Sequence, residues 1–104
     1  MACPLHQYTA QGFDMQIGTN VIGHFFFTQC LLPALRAVKT QMGQRARVVT
    51  TSSSSQYMVN KFNYDFARDS PARKKSTPLD VYNVSKFVCC CVLLLEVKAC
   101  ADNC

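Results

Sequence analysis

A tyrosine and a lysine four residues apart, Tyr82 and Lys86, are the pair best suited by type and spacing to acid/base chemistry. On a helix, residues at i and i+4 lie on one face, so the phenol and the ammonium group are neighbours. A nearby cation favours the phenolate and lowers the tyrosine pKa from its reference value of about 10. Such a tyrosine can donate a proton to a carbonyl or remove one from an alcohol. The spacing alone is weak, because many helices carry this pair at a solvated surface.

The tyrosine–lysine pair requires a helix, and the chain predicts one from Leu79 to about Ala101, with Pro78 just ahead of it. An earlier helix is predicted from near Ala10, where the Thr9 hydroxyl can cap the first free amides. Its stretch 13–42 carries apolar residues at helical spacing: Phe13, Ile17, Val21, Phe25, Leu32, Leu35 and Val38. Pro33 lacks a backbone donor and predicts a kink or a break there.

Between the two helices, residues 47–52 (Arg-Val-Val-Thr-Thr-Ser) are short and rich in β-branched side chains. This composition without polar alternation predicts a strand buried on both faces, as in a parallel sheet. Residues 54–80 then read as one long loop, and loops of that length in compact domains are often functional. The order is helix, strand, long loop, helix. One strand cannot make a sheet by itself, so neighbouring strands are missing from this segment.

Composition limits the other classes of function. The chain has 104 residues, a net charge of +5 and seven cysteines. That length allows at most one small domain, and the odd cysteine count without a CxxC pair argues against a disulfide framework. Consecutive Cys89, Cys90 and Cys91 point about 100° apart on a helix and cannot share one metal ion, so we expect no metal site. The basic cluster 68–75 lacks a recognisable nucleic-acid fold, and we expect no nucleic acid as partner.

Three motifs occur in an order that resembles the short-chain dehydrogenase/reductase family, in particular its retinol-dehydrogenase-like and fungal members. The segment 82–87 (Tyr-Asn-Val-Ser-Lys-Phe) resembles the family's active-site motif at a helix start. The run 47–53 resembles the family strand that ends in the catalytic serine. Residues 20–33, with Asn20 first, resemble the family helix that carries the active-site asparagine. Together the motifs cover roughly residues 5 to 98.

This resemblance implies a role for each matched residue. Tyr82 would be the general acid/base, and Lys86 would lower its pKa and bond the nicotinamide ribose, so both would also bind cofactor. Ser53 would hold the substrate oxygen, although the serine run leaves Ser52 and Ser54 open as alternatives. Asn20 would bind the water of a proton relay. The implied fold is α/β: a fragment of a Rossmann-type doubly wound parallel sheet, with residues 1–104 as a single partial domain.

The cofactor implied by the family is NAD or NADP, and the sequence does not supply its whole site. The family binds the dinucleotide at a Gly-rich turn between its first strand and first helix. The glycines here, Gly12, Gly18, Gly23 and Gly43, are isolated and build no phosphate turn. We therefore expect the C-terminal catalytic segment of such a fold, lacking the cofactor-binding half and inactive as this chain alone.

Two functions remain open. The first is redox chemistry on a small-molecule alcohol or carbonyl, with an apolar substrate suggested by Tyr57, Phe62, Tyr64 and Phe66 in the loop, while Arg73-Lys74-Lys75 would be solvated. The second is a non-catalytic module that self-associates, or docks on a full-length homologue, through the two long helices that form the family's dimer interface. The longest apolar run, 87–95, is about half of a membrane span, so we expect a cytoplasmic protein without one.

Overall fold

A computed structural model describes residues 3–102, and of residues 39 and 93–102 it describes the backbone alone. Two long helices dominate. The first, α1, covers Met15–Met42 and the last, α3, covers Pro78–Asp102. Between them lie a 3₁₀ turn at Ser54–Met58, a second at Tyr64–Ala67 and the short helix α2 at Pro71–Lys74. The long loop therefore contains three short helical elements.

The predicted fold class is wrong for the described residues, which contain no β-strand and no sheet. Residues 44–53 form no regular secondary structure, and Val49 within the predicted strand is 89% exposed. The physical reason is that a strand is held by hydrogen bonds to a neighbouring strand, and none is present here. A run of β-branched residues favours a sheet, but it cannot supply the neighbouring strand that a sheet needs.

The start of α1 also differs from the prediction. The helix begins at Met15, and Asp14 rather than Thr9 is its cap, with a side chain that accepts from the amides of Gln16 and Ile17. Thr9 instead closes a turn: its hydroxyl accepts from the Phe13 amide at 3.2 Å. Gly12 allows this turn because its φ is +77°, a left-handed value that other residues adopt at a cost.

Helix α1 is irregular near its start rather than at its proline. Residues Gly18–Gly23 form a π-helical segment, whereas the α-helical section His24–Met42 continues through Pro33. Gly18 opens this wide turn where a side chain would collide with the Thr9 methyl group. The break predicted at Pro33 is therefore wrong, and the kink predicted as its alternative stays a prediction.

The core is small and lies between the start of α1 and the first turns of α3. Ile17, Val81 and Val84 form its buried cluster. Partly buried apolar residues surround them: Leu5, Ile22, Val59, Phe62, Phe66, Ala67 and Val88. The second half of α1 contributes little, and Phe26 there is 68% exposed. Packing thus fixes one end of α1 against α3.

One helix among the described residues, Met15–Met42, is long and apolar enough by length and composition to cross a membrane. The core helix of a soluble protein passes the same test, so this property alone decides little. This helix is a different segment from the apolar run at 87–95, whose length predicts no membrane span.

Candidate functional site

Tyr82 and Lys86 lie on the same face of α3, one turn apart. The Lys86 ammonium nitrogen is 5.9 Å from the centroid of the Tyr82 ring, and both side chains are half-buried. Lys86 Nζ also lies 3.4 Å from the backbone carbonyl of Thr51 and donates to it. Because one hydrogen bond leaves two of its three protons, the ammonium group can still bind a second acceptor.

The serine run lies beside the same turn of α3. The Ser52 hydroxyl donates to the Lys86 carbonyl at 3.2 Å. The predicted residue, Ser53, instead uses its hydroxyl oxygen to accept from the Ser55 amide at 3.2 Å and so caps the 3₁₀ turn Ser54–Met58. The structure thus ties Ser52 to the Tyr82 helix directly, and Ser53 through the turn that it caps.

Asn20 reaches the site through a residue that the sequence interpretation did not single out. Its Nδ2 donates to the Ser85 hydroxyl at 2.9 Å, and that hydroxyl donates to the Tyr82 carbonyl at 2.7 Å. Ser85 is fully buried. Asn20 lies in the π-helical segment of α1, and such bulges are frequent at functional sites. The signal for Ser85 was its place inside the matched motif, between the tyrosine and the lysine.

These contacts join three parts of the chain that are far apart in sequence. A continuous series runs from Asn20 through Ser85 to the backbone of Tyr82, and from Lys86 to Thr51 and Ser52. The site therefore offers a phenol, an ammonium group and hydroxyls within one surface region of α3. This combination suits transfer of a proton to or from an oxygen atom.

Cys89 lies near Lys86 on α3, but its side chain is buried. Burial raises the pKa of the Cys89 thiol, with the nearby Lys86 charge acting in the opposite direction. It borders a shallow depression between α1 and α3, lined by Asn20, Val21, His24, Phe25, Cys89 and Val92. A protonated, buried thiol is a packing residue rather than a nucleophile.

In the described part of the chain, no group of three or more His, Cys, Asp or Glu side chains is placed to hold a metal ion. The three consecutive cysteines differ in environment: Cys89 is buried, Cys90 is half-buried and Cys91 is exposed. They therefore point in different directions.

The residues present fit one end of a nicotinamide dinucleotide and not the other. Lys86 and Tyr82 carry the donors that a ribose hydroxyl needs. Phosphates often bind free amides at a helix start, but at the start of α1 the Asp14 carboxylate already accepts from the amides of Gln16 and Ile17. A second anion there would meet that carboxylate. Gly43, which also has a positive φ, follows the end of a helix and not a strand.

The burial of Arg73 differs from the sequence prediction. This residue was expected to be solvated, yet it is 1% exposed and forms an ion pair with Asp14 at 2.5 Å. The neighbouring Lys74 behaves as expected, pairing with Asp69 at 3.0 Å on the surface. The pairing of Arg73 with a residue 59 positions earlier could not be found from local composition.

Comparison with known proteins gives named relatives. Two short-chain dehydrogenase/reductases of Armillaria gallica are each 52% identical to this chain over 86 residues, which is 83% of this chain and 27% of the relative. A polyprenol dehydrogenase of Mus musculus is 46% identical over 50 residues, 48% of this chain and 15% of the relative.

These relatives are longer than the chain, which spans about 27% of the length of the first two. No family model matches the sequence, and no solved structure matches it. The likeness therefore consists of sequence identity along a segment that includes the tyrosine–lysine helix and the asparagine helix.

Proposed function

Because the chain belongs to the short-chain dehydrogenase/reductase family, a family of oxidoreductases, we propose that it carries the acid/base part of an NAD(P)-dependent oxidation of an alcohol or reduction of a carbonyl. The observation that supports this most is the contact series from Asn20 through Ser85 to Tyr82 and Lys86. It places a phenol beside a cation and ties both to the helix that carries the matched asparagine.

In this proposal Tyr82 is the proton donor and acceptor. In the reductive direction its hydroxyl gives a proton to the carbonyl oxygen, and in the oxidative direction the phenolate removes the alcohol proton. The Lys86 ammonium nitrogen lies 5.9 Å from the centroid of the Tyr82 ring. A bound nicotinamide supplies or accepts the hydride at the carbon of the same bond. Lys86 would also hold the ribose of that cofactor.

The serines and Asn20 would orient the reacting groups. Ser53 would hold the substrate oxygen, with Ser52 as the alternative because its hydroxyl lies against the Lys86 carbonyl. Asn20 would hold the relay water on the α1 side of Tyr82, and its bond to Ser85 fixes its position. Each group donates or accepts a hydrogen bond and none changes its covalent state.

The loop 54–80 would form the substrate side and favour an apolar alcohol or carbonyl. Four large apolar side chains within 54–80 are exposed: Tyr57, Met58, Tyr64 and Leu79. The turn that contains the first two packs against α3. A relative named as a polyprenol dehydrogenase acts on an apolar alcohol by that name, which is consistent with the proposal. Exposed apolar groups beside a reactive site are typical of ligand surfaces.

The chain alone would be inactive, because the described residues contain no strand followed by a Gly-rich turn that could hold the dinucleotide phosphates. We expect no saturable binding of NADH or NADPH at micromolar concentration when reduced-nicotinamide fluorescence is followed during titration. Saturable micromolar binding by the folded chain would contradict this part of the proposal.

The acid/base role is tested in a chimera in which this chain replaces the 86 matching residues of the Armillaria gallica relative. We expect carbonyl-dependent oxidation of NADH or NADPH, and a loss of roughly 100-fold or more for Tyr82→Phe, the contribution typical of a general acid. Thr40→Val is the control, since it also removes one hydroxyl group, from an exposed residue near the end of α1, and it should retain activity within about twofold. A chimera that binds cofactor yet is inactive, or is equally active with Tyr82→Phe, would contradict the role.

A second candidate function rests on the apolar surface of α1. Phe25, Phe26, Phe27 and Leu31 are all exposed in one stretch. Contiguous apolar surface of this kind drives association. As the alternative, the chain would self-associate, or dock on a full-length homologue, through its long helices. Light scattering without cofactor tests this: Phe26→Ser with Phe27→Ser should convert an oligomer to a monomer, whereas Tyr57→Ser should not. A monomeric unsubstituted chain would contradict it.

A cytoplasmic location is the accompanying proposal. The first turns of α1, at Ile17 and Asn20, pack against and bond α3, so a membrane-spanning α1 would have to give up these contacts. The expected result is release of the chain into the supernatant when membranes are washed with alkaline carbonate. Retention in the pellet would contradict it and favour a spanning α1.

A further inference from the structure

The guanidinium group of Arg73 lies buried among residues from the beginning of the chain. Its Nε and Nη2 donate to Asp14 Oδ2 at 3.0 and 2.5 Å. Its Nη1 donates to the Tyr8 hydroxyl, and Nη2 also donates to the Leu5 carbonyl, both at 2.5 Å. The Tyr8 ring lies against the guanidinium with 4.4 Å between the ring centroid and Cζ. All three guanidinium nitrogens therefore have partners.

Asp14 connects this arginine to the helix that carries Asn20. While Oδ2 faces Arg73, Oδ1 accepts from the amides of Gln16 at 2.8 Å and Ile17 at 3.1 Å. The backbone amide of Asp14 donates to the Ala67 carbonyl at 2.9 Å. One residue therefore joins the start of α1 to two points of the loop 54–80.

The starts of α1 and α3 are also joined to each other near the candidate site. Arg73 lies in α2, five residues before Pro78, the first residue of α3. The Gln16 side chain donates to the Pro78 carbonyl at 3.0 Å. One turn later Asn20 donates to Ser85. Fixing the starts of α1 and α3 to each other thus fixes the register in which Asn20 meets the Tyr82 helix.

Energetics favour a geometric role for this ion pair. Removing two charges from water costs about as much as their attraction returns, and apolar residues of similar size often stabilise as well. What the planar fork of an arginine adds is direction, because its donors match a carboxylate in one orientation. The Arg73–Asp14 pair therefore contributes more to orientation than to net stability.

We propose that Arg73 and Asp14 are positioning residues that hold the Asn20–Ser85 contact and thereby the placement of Tyr82. The relevance of this placement to catalysis rests on the proposed acid/base function. Neither residue touches the reacting atoms. Their effect reaches Tyr82 through the helix starts that they join.

The test is nuclear magnetic resonance of the whole chain, without cofactor or turnover. Arg73→Lys keeps the buried charge but lacks the fork, and Asp14→Asn keeps the acceptor that caps α1 but lacks the charge. Exchange of the Asn20 side-chain amide protons with water is measured, with the backbone amide of Val84 as internal reference. Arg68→Lys is the matched control, since Arg68 is exposed on the same loop and bonds the Gln11 carbonyl at 3.4 Å.

We expect both variants to accelerate exchange at Asn20 by roughly tenfold or more, the ratio for losing a charge-assisted hydrogen bond. Exchange at Val84 reports the overall stability that is lost when Asp14→Asn leaves the Arg73 charge without its partner. Exchange at Asn20 should therefore accelerate by at least about tenfold more than exchange at Val84, and Arg68→Lys should change neither. Three results would overturn the proposal: unchanged exchange at Asn20, equal acceleration at Asn20 and Val84, or loss of helical structure in both variants, which would assign the pair to overall stability. The Tyr82→Phe chimera tests the acid/base function separately, so failure of one idea is distinguishable from failure of the other.

Discussion

Two regions of this chain differ in how far their side chains are buried. One is the junction, where the starts of α1 and α3 pack against each other, and the other is the segment 44–53. At the junction, Val81 is fully buried and Arg73 is 1% exposed. In the segment, Val49 is 89% exposed. Both regions contain valines, a residue type suited to a protein interior: Val81 and Val84 at the junction, and Val48 and Val49 in the segment. The junction finds its partners within the chain, whereas the segment needs a neighbouring strand that the described residues do not contain.

The difference indicates what can hold the candidate site together. Asn20, Ser85 and Tyr82 are joined by side-chain and backbone contacts inside the junction. Ser52 and Ser53 come from the end of the unpaired segment and are held by contacts to α3 and to a 3₁₀ turn. The part of the candidate site that contains Asn20, Ser85 and Tyr82 is therefore held by more contacts within the junction than the part that contains Ser52 and Ser53.

The substitution with the largest expected effect removes the Asp14–Arg73 ion pair at the junction. Asp14→Ala leaves the Arg73 charge buried without its partner and removes the cap of α1, so it should lower the free energy of unfolding by about 3–5 kcal/mol. Urea denaturation followed by circular dichroism measures this. Lys74→Ala, which breaks the exposed pair with Asp69, is the control and should leave the midpoint unchanged. Equal effects of the two substitutions would contradict the expectation that the buried ion pair matters more to stability than the exposed one.

An identical substitution in both regions sharpens the comparison. Val81→Ala removes two methyl groups from the core and should lower the free energy of unfolding by about 2 kcal/mol. Val49→Ala should change it by less than about 0.5 kcal/mol, because the side chain is already in water. The same denaturation experiment measures both. A destabilisation by Val49→Ala as large as that of Val81→Ala would mean that the segment is packed.

A smaller effect concerns the start of α3. The Thr77 hydroxyl accepts from the Asp80 amide at 3.2 Å, and Asp80 accepts from the Thr77 amide and hydroxyl, each at 2.7 Å. Thr77→Ala should cost about 1 kcal/mol, as is typical for a lost cap. The measurement is again the urea midpoint. An unchanged midpoint would show that α3 does not depend on this cap.

Acidification tests the same cap through Asp80. The hydrogen bonds from Thr77 lower the pKa of the Asp80 carboxyl below its ordinary value. A carboxyl with a lowered folded-state pKa stabilises above its unfolded-state pKa, and this contribution is lost as the pH falls through the lowered value. Stability should therefore decline below about pH 4, and Asp80→Asn should make that decline shallower. An identical decline in the Asp80→Asn variant would exclude this carboxyl as the cause.

The sequence predicted those features that depend on nearby residues. The helix of Tyr82 was predicted at Leu79–Ala101 and is observed at Pro78–Asp102, since Pro78 and the first-turn Asp80 mark its start. The pairing of Tyr82 with Lys86 follows from helical spacing alone.

Features that depend on distant partners were predicted wrongly or missed. The strand at 47–52 requires neighbours, and Arg73 requires Asp14, 59 residues earlier. The contact between Asn20 and Ser85 joins residues 65 positions apart. Local composition does not identify such distant partners. The sequence therefore indicated candidate residues but not the contacts that arrange them.

Hydrogen exchange of backbone amides, followed by mass spectrometry on the unsubstituted chain, tests the central claim most directly. The claim is that the α1–α3 junction is an ordered unit that positions Asn20 and Tyr82, although the described residues contain no β-sheet. Amides at residues 17–22 and 81–89 should then exchange at least about 100-fold more slowly than those at residues 44–53. Equally fast exchange in all three segments would contradict the claim, because the candidate site would have no ordered frame in this chain.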